Sequence, residues 1–257
     1  MAKTPSSAIQ LEKGVAEYHQ RQSQLKHLDG VLPMRTILSG PSGAGKGRTM
    51  SSMILHQFRD CFHRVYIISP TSGEPPLDET WQPCLDYIRT FTPEEEEISW
   101  NTWSEEKLQK VLTAQEERVR KAKADGQKEV PGILIVIDDY ADRADIVKRP
   151  DNIVTRLFFS GRHIFCSTWL SVQRVRSLSM PIRLNATALL IFKCRNLKEY
   201  MVFEEELSAL VDKKTFRKLY EAATEDAHSF LLVLPNRPLD RTFYIRFEHG
   251  VSFSAPG

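Results

Sequence analysis

The chain is 257 residues long and carries 35 lysines and arginines against 33 aspartates and glutamates, a formal net charge of +2. That balance excludes a globally basic surface of the kind that holds nucleic acid by charge alone, while leaving local clusters free to do so. The length suits one α/β domain with extensions, large enough for a substantial core. Four cysteines, Cys61, Cys84, Cys166 and Cys194, stand far apart with no CxxC pair, so neither a zinc site nor a disulfide framework is implied. Cys166 and Cys194 fall in apolar runs and read as core thiols. No apolar run approaches the roughly 18 to 20 residues of a membrane span. The first residues are polar and contain no apolar signal region, so the expectation is a protein of a reducing compartment that is not secreted.

In chain order, residues 8–29 are polar with scattered Leu and Val and end on the turn signal Asp29-Gly30. They predict a thinly amphipathic helix, so residues 1–30 read as an N-terminal helical arm or extension and residues 31–257 as the main domain. The apolar run Arg35-Thr36-Ile37-Leu38 predicts a buried strand, and residues 50–58 have helical spacing. Between them lies Ser39-Gly40-Pro41-Ser42-Gly43-Ala44-Gly45-Lys46-Gly47-Arg48-Thr49. Strand, glycine-rich loop and helix in that order form the context of a phosphate-binding loop. The glycines let the backbone wrap closely, so that successive N–H groups point at an anion. The helix N-terminus adds partial positive charge, and Lys46 reaches the β- and γ-phosphates. The spacing Gly40-x4-Gly45-Lys46 fits the Walker A pattern, and residues Gly40 to Thr49 are the expected nucleotide cradle. The position after the lysine ordinarily offers Mg²⁺ a Ser or Thr hydroxyl; here it is Gly47, with Thr49 two residues further on. A glycine there also occurs in P-loop proteins resembling adenylate kinases, whose Mg²⁺ is held largely through water.

A second buried strand is predicted at 64–69, with a turn-rich stretch after it at 71–76. The acidic run Glu94-Glu95-Glu96-Glu97 reads as a solvated helix start. Residues 104–127 predict a long charged helix opened by Ser104. Five consecutive aliphatic residues, Ile133-Leu134-Ile135-Val136-Ile137, predict a central parallel strand buried on both faces, with Asp138 and Asp139 at its carboxyl end, where open α/β sheets bind ligands. This is the Walker B candidate. Asp138 is expected to hold the hydrated Mg²⁺, and Asp139 to orient or deprotonate the attacking water. Two adjacent acids fit hydrolysis better than kinase chemistry. A helix at 151–160 closed by Gly161 comes next, then a strand from 164 ending at Ser171-Val172-Gln173-Arg174, and another at 187–193. Helices at 196–207 and 212–223 precede two final strands, at 229–234 and 242–247.

The series Asp138-Asp139, helix, Ser160-Gly161-Arg162-His163, strand, Gln173-Arg174 and Arg183-Leu184-Asn185-Ala186-Thr187 resembles the HerA–FtsK superfamily of DNA-pumping ATPases. Within it, the chain resembles the poxvirus-type genome-packaging ATPases of large DNA viruses, virophages and related elements, over about residues 34–247. The resemblance implies an α/β P-loop NTPase of the RecA-like ASCE type, a mainly parallel central sheet flanked by helices. It implies a motor that uses ATP and Mg²⁺ to package viral double-stranded DNA into capsids. The motor would hydrolyse ATP at the subunit interfaces of a pentameric or hexameric ring. Its partners would be double-stranded DNA, further copies of itself and a capsid or capsid-vertex protein. Its location would be the infected host cell (cytoplasm, virus factory or nucleus), with virion association.

Carried onto this chain, the catalytic set is Lys46, Asp139, Gln173 and Arg162. Gln173, at the end of the strand beside Walker B, is placed to contact both the γ-phosphate and the attacking water. Arg162, after a helix that ends at Gly161, is the candidate arginine finger for a neighbouring subunit. Arg174 and Arg176 are the alternatives for that role, and His163 reads as a structural helix-end residue. DNA-backbone candidates are Arg143, Lys148 and Arg149 after Walker B, together with Arg174, Arg176 and Arg183. Two other classes stand beside the motor. One is a phosphotransferase like the nucleoside monophosphate kinases, favoured by Gly-Lys-Gly but lacking an arginine-rich lid segment. The other is a nucleotide-binding assembly protein with little hydrolysis, in which Gly47 marks a decayed metal site.

Overall fold

A run of consecutive aliphatic residues leaves no polar face, so a strand made of them needs cover on both sides, and a sheet flanked by helices supplies it. The computed structural model, which describes residues 18–72, 79–140 and 152–250, is built this way. Its strands are β1 (Arg35–Ser39), β2 (Arg64–Ile68), β3 (Ser99–Trp100), β4 (Ile133–Ile137), β5 (Cys166–Val172), β6 (Ala188–Phe192), β7 (Phe230–Val233), β8 (Phe243–Ile245) and β9 (His249–Gly250). They form one sheet in the order β3-β2-β4-β5-β1-β6-β7-β8-β9. Every pairing from β3 across to β6 is parallel, and β7, β8 and β9 add an antiparallel edge. The mainly parallel sheet is the expected one. Its two-residue strands β3 and β9 are too short to leave a periodic signal.

The helices are α1 (Lys46–Ser52), which runs on into a π-turn at Met53–Gln57, then α2 (Gln82–Arg89), α3 (Glu105–Ala124), α4 (Ile153–Ser160), α5 (Met180–Leu184), α6 (Leu197–Glu206) and α7 (Lys213–Ala223). Side chains alternate across a strand, so β4 serves two cores at once. Ile133, Ile135 and Ile137 join Leu108 and Leu112 of α3, Leu157 and Phe158 of α4, Phe203 of α6 and Phe216 of α7. Leu134 and Val136 join Met50 of α1, Met53, and Leu85 and Ile88 of α2. All five β4 residues have 0% exposure, which is why no polar position interrupts the run. Burying each such side chain contributes about 1.5–3 kcal/mol. Burial also pushes the Cys166 thiol up to about 12, as a core thiol requires.

Helix starts are set by the capping residues. The side chains of Ser104, Asn152, Asn196 and Asp212 accept hydrogen bonds from the first-turn amides of α3, α4, α6 and α7. Each such cap contributes about 1 kcal/mol. Residue 151 of the predicted 151–160 helix lies outside the described residues, as do 73–76 of the predicted turn.

Two expectations are corrected. Residues 18–30 form no α-helix: they hold a bridge between His19 and Glu129, a bend, and a single 3-10 turn at Lys26–Leu28. Two of their polar side chains are tied to the body of the domain. Gln22 bonds both the N–H and the carbonyl of Leu32, and Ser23 donates to the Gln57 carbonyl at 2.6 Å. A thin apolar stripe cannot hold a helix against those bonds. The rest of the predicted arm, residues 1–17, lies outside the described residues. The acidic run at 94–97 starts no helix either. It forms the turn between α2 and β3, and Glu96 turns inward to meet Arg64 and the Tyr66 hydroxyl of β2. Among the described residues, no helix is long and apolar enough to cross a membrane.

Candidate active site

Register sets the site. Leu170 of β5 lies level with Ile37 of β1 on one side and Ile137 of β4 on the other. The three strands therefore end together, and their exits meet at one edge: the glycine-rich loop after β1, Asp138 and Asp139 after β4, and Gln173 after β5. This is the carboxyl edge of the parallel strands, where ligands bind in open α/β sheets.

The loop is tied down at its base, where the Gly40 N–H donates to the Val172 carbonyl of β5 at 3.1 Å. A Cβ at Gly40 would lie 2.6 Å from the Phe192 Cβ, so only glycine lets the loop pass β6. Gly45 caps α1 in the left-handed region at φ +95°, which turns the chain into the helix. Lys46 opens that helix and is buried at 8% exposure. Its Nζ donates to the carbonyls of Gly40 and Pro41 at 2.8 and 3.0 Å. Burial pushes the ammonium below its ordinary value, and the nearby Asp138 and Asp139 carboxylates pull it back up.

The acid pair is positioned by β5 and β2. The Asp138 N–H donates to the Ile68 carbonyl at 2.8 Å. The hydroxyl of Ser171, fully buried on β5, donates to the Asp138 carboxylate and accepts from the Asp139 N–H at 3.2 Å. Asp139 is held at φ +57°, a conformation that costs a non-glycine residue on the order of 1 kcal/mol or more. The strained backbone exposes its carboxylate to the cavity, where Gln173 Nε2 donates to Oδ1 at 3.0 Å.

Ser42, Gly43, Gly45, Lys46, Gly47, Arg48, Thr49, Asp138, Asp139 and Gln173 all line one cavity of about 920 Å³. The remaining predicted loop residues, Gly40, Pro41 and Ala44, do not line it; the Gly40 and Pro41 carbonyls hold the Lys46 ammonium. Several residues sequence reasoning missed complete the walls. Ser69, Thr71, Thr80 and Trp81 come from the segments around the β2 end, and His228, Phe230, Arg246 and Phe247 from the β7–β8 region. His228 and Arg246 are both left-handed, at φ +60° and +55°. The His228 ring faces the Gly45 turn, its Nδ1 3.3 Å from where a Cβ would stand. Arg246 donates to the Ser229 hydroxyl at 3.1 Å and pairs with Asp226 at 3.7 Å. No local pattern marks these residues. Nor does one mark Ser171, which shares β5 with two other fully buried polar residues, Ser167 and Thr168.

Other predicted residues lie elsewhere. Arg162 is exposed on the 3-10 turn Gly161–Ile164, before the amino end of β5 and therefore at the opposite edge of the sheet from the cavity. It lies near Arg35 at the start of β1; burial first, and then the Arg162 charge, lowers the Arg35 pKa. His163 is exposed on the same turn. Arg174 and Arg176 are exposed and do not line the cavity. Arg183 is committed to structure, with Nε on Glu206 at 2.6 Å and Nη1 on the Leu178 carbonyl at 2.7 Å. Arg143, Lys148 and Arg149 lie outside the described residues.

Among the described residues, no group of three or more His, Cys, Asp or Glu could cage a metal ion. A carboxylate beside a phosphate cradle suits Mg²⁺, which keeps several waters and is shared between one or two carboxylates and substrate phosphates. Asp138 is the side chain that fits. A cationic loop at a helix start, opposed by a hydrogen-bonded acid pair, is equipped for phosphoryl chemistry with water as acceptor.

The sequence model of a family described as Poxvirus A32 protein matches residues 20–221. No curated protein matches the chain. Among solved structures, the genome packaging NTPase B204 from Sulfolobus turreted icosahedral virus 2 in complex with AMP aligns with a TM-score of 0.53 and 17% identity, covering 82% of this chain and 96% of that one. The same protein in complex with ATP-gammaS gives a TM-score of 0.51 at 17% identity, with the same coverage. The cytoplasmic domain of the Thermomonospora curvata Type VII secretion ATPase EccC gives 0.50 at 14% identity, over 80% of this chain and 25% of that one. At these identities the likeness is one of fold, and the α/β P-loop architecture is common to all of them.

Proposed function

The chain belongs to the poxvirus A32 protein family, and from that premise we propose that it is an ATPase that packages viral double-stranded DNA. The observation that carries the proposal is the convergence of Lys46, Asp138, Asp139 and Gln173 on one cavity, with Gln173 bonded to Asp139 at 3.0 Å. Loop amides, the α1 start and Lys46 bind the phosphates. Asp139 orients the attacking water and takes its proton, while Gln173 holds that carboxylate and reports on the γ-phosphate. Water attacks the γ-phosphorus, the bond to the bridging oxygen breaks, and ADP and phosphate leave. Mg²⁺ held by Asp138 supplies positive charge against the phosphate oxygens when bound. The B204 structures in complex with ATP-gammaS and AMP support a nucleotide in the corresponding fold.

Arg162 sits at the opposite edge from its own chain's cavity, so its role as an arginine finger is in trans, on the nucleotide of a neighbouring subunit. That role requires a neighbouring copy of the chain, and a closed ring, pentameric or hexameric, would supply one at every site. Exposed Arg174 and Arg176 come just after Gln173 and are the DNA-backbone contacts of this reading; Arg183, locked to Glu206, is not one of them. A capsid or capsid-vertex protein is the remaining partner, and the infected cell the location.

Phosphate release from ATP with Mg²⁺, with and without linear double-stranded DNA, tests the proposal. The expected result is hydrolysis that DNA stimulates several-fold. Phosphate transfer to a nucleoside monophosphate would establish the kinase reading instead. Tight ATP binding without turnover would support the assembly-protein reading or a motor that needs a capsid-bound activator.

A further inference from the structure

Gly47 stands where a P-loop ordinarily places the hydroxyl that meets Mg²⁺, and the structure gives no backbone or packing reason for a glycine there. It is the second residue of α1, where glycine weakens a helix relative to alanine. Its φ lies outside the left-handed region, unlike those of Gly43 and Gly45. A Cβ at Gly47 would make only ordinary contacts, 3.5 Å from Asp138 Oδ2 and 3.5 Å from Thr80 Cγ2. A side chain at position 47 would therefore point at the carboxylate that fits Mg²⁺, with Thr80 across from it. Thr80 carries a hydroxyl on the same carbon as that methyl group. Chain neighbours aside, no other side chain among the described residues comes within 4 Å of the Gly47 Cβ position.

We propose that Thr80 supplies the oxygen ligand to Mg²⁺ that the P-loop of this chain lacks, the hydroxyl having moved from α1 to the segment before α2. The inference rests on the nucleotide reading above. Thr80, Gly47 and Asp138 line the same cavity. A neutral hydroxyl suits an ion that takes six hard oxygens in near-octahedral geometry and draws only one or two of them from carboxylates. The other hydroxyls are less well placed. Ser171 is fully buried and does not line the cavity. Thr49, two residues beyond Gly47 on α1, projects from a different side of the helix. Ser42, Ser52, Ser69 and Thr71 line the cavity too, but none of them comes within 4 Å of the Gly47 Cβ position.

The test is metal affinity rather than turnover. Mg²⁺ is titrated calorimetrically into the ADP complex of the full chain, for wild type, Thr80→Val, Thr80→Ser, Gly47→Ser and the double variant Gly47→Ser/Thr80→Val. ADP affinity without metal is measured alongside. Thr80→Val is expected to weaken Mg²⁺ binding about tenfold, the low end of what supporting ligand changes cost, while leaving metal-free ADP affinity unchanged. Thr80→Ser is expected to bind Mg²⁺ as wild type does, and the double variant to recover the loss. Unchanged Mg²⁺ affinity in Thr80→Val would overturn the inference, because water then fills the position. An equal loss of metal-free ADP affinity would overturn it too, as would a double variant that recovers nothing. A wild-type chain that binds no ADP at all would overturn the nucleotide reading, and this inference with it.

Discussion

Asp138-Asp139 and Glu94–Glu97 are both tight acidic clusters beside strands of one sheet, and they are put to opposite uses. Glu96 is drawn into the body: it accepts from Arg64 Nε at 2.8 Å and from the Tyr66 hydroxyl, with Arg118 of α3 at 3.9 Å. Glu97 pairs outside with Lys107 at 2.7 Å. The run is spent pinning the α2–β3 turn to β2 and α3. Asp139, by contrast, is lifted into a cavity on a left-handed backbone, and its bonding partner is a neutral amide, Gln173. The difference lies in what surrounds each cluster. Cations bonded directly to it turn a carboxylate into a staple, whereas a strand end beside a phosphate-binding loop leaves it available for chemistry.

That contrast breaks cleanly under substitution. Lys46→Ala removes the loop's cation and is expected to lower the rate of ATP hydrolysis about 10²- to 10³-fold, the cost of one electrostatic contact to a transferring phosphoryl group. Its thermal unfolding midpoint should stay near that of wild type. Glu96→Gln should do the reverse, costing about 1–3 kcal/mol in urea denaturation, because the buried side of the Arg64–Tyr66 cluster loses its charged acceptor. Hydrolysis per folded molecule should not change.

The same cluster has a pH signature. Burial opposes ionisation of Glu96, but the hydrogen bonds from Tyr66 and Arg64 and the charges of Arg64 and Arg118 outweigh it and hold the carboxyl below its ordinary value. A carboxyl depressed in the folded state stabilises the protein above its unfolded value of 4.5 and loses that contribution as pH falls through the folded value. Denaturation midpoints taken from pH 7 down to pH 3 should therefore fall in wild type and flatten in Glu96→Gln. The smallest effect is expected for Ser171→Ala. It removes the hydroxyl that sets Asp138 and the Asp139 N–H without touching the reacting atoms. A loss of about tenfold in kcat is expected, with KM for ATP little changed.

Much of the site was legible because it is written in contiguous runs. The loop from Gly40 to Thr49 and the strand β4 with its two aspartates each carry their signal within about a dozen residues, and the fold brings them together. Gln173 was legible because it ends a strand. What escaped was what only tertiary contact supplies. His228 and Arg246 reach the cavity from the antiparallel edge, and neither sits in a pattern that announces it. Ser171 gains its role from register, since Leu170 beside Ile137 places the next residue of β5 level with Asp138. Glu96 was misread because nothing local shows that Arg64, Tyr66 and Arg118 will surround it. Residues 18–25 were misread because side-chain bonds from Gln22 and Ser23 to the domain outweighed a weak helical stripe.

The central claim is that the carboxyl edge of β1, β5 and β4 hydrolyses ATP through Asp139. It is tested most directly by measuring ATP binding and phosphate release together in Asp139→Asn. The account predicts binding within a few-fold of wild type and phosphate release reduced about 10²- to 10⁴-fold, the range for loss of a general base. Release at the wild-type rate would contradict it and move the water-activating group elsewhere.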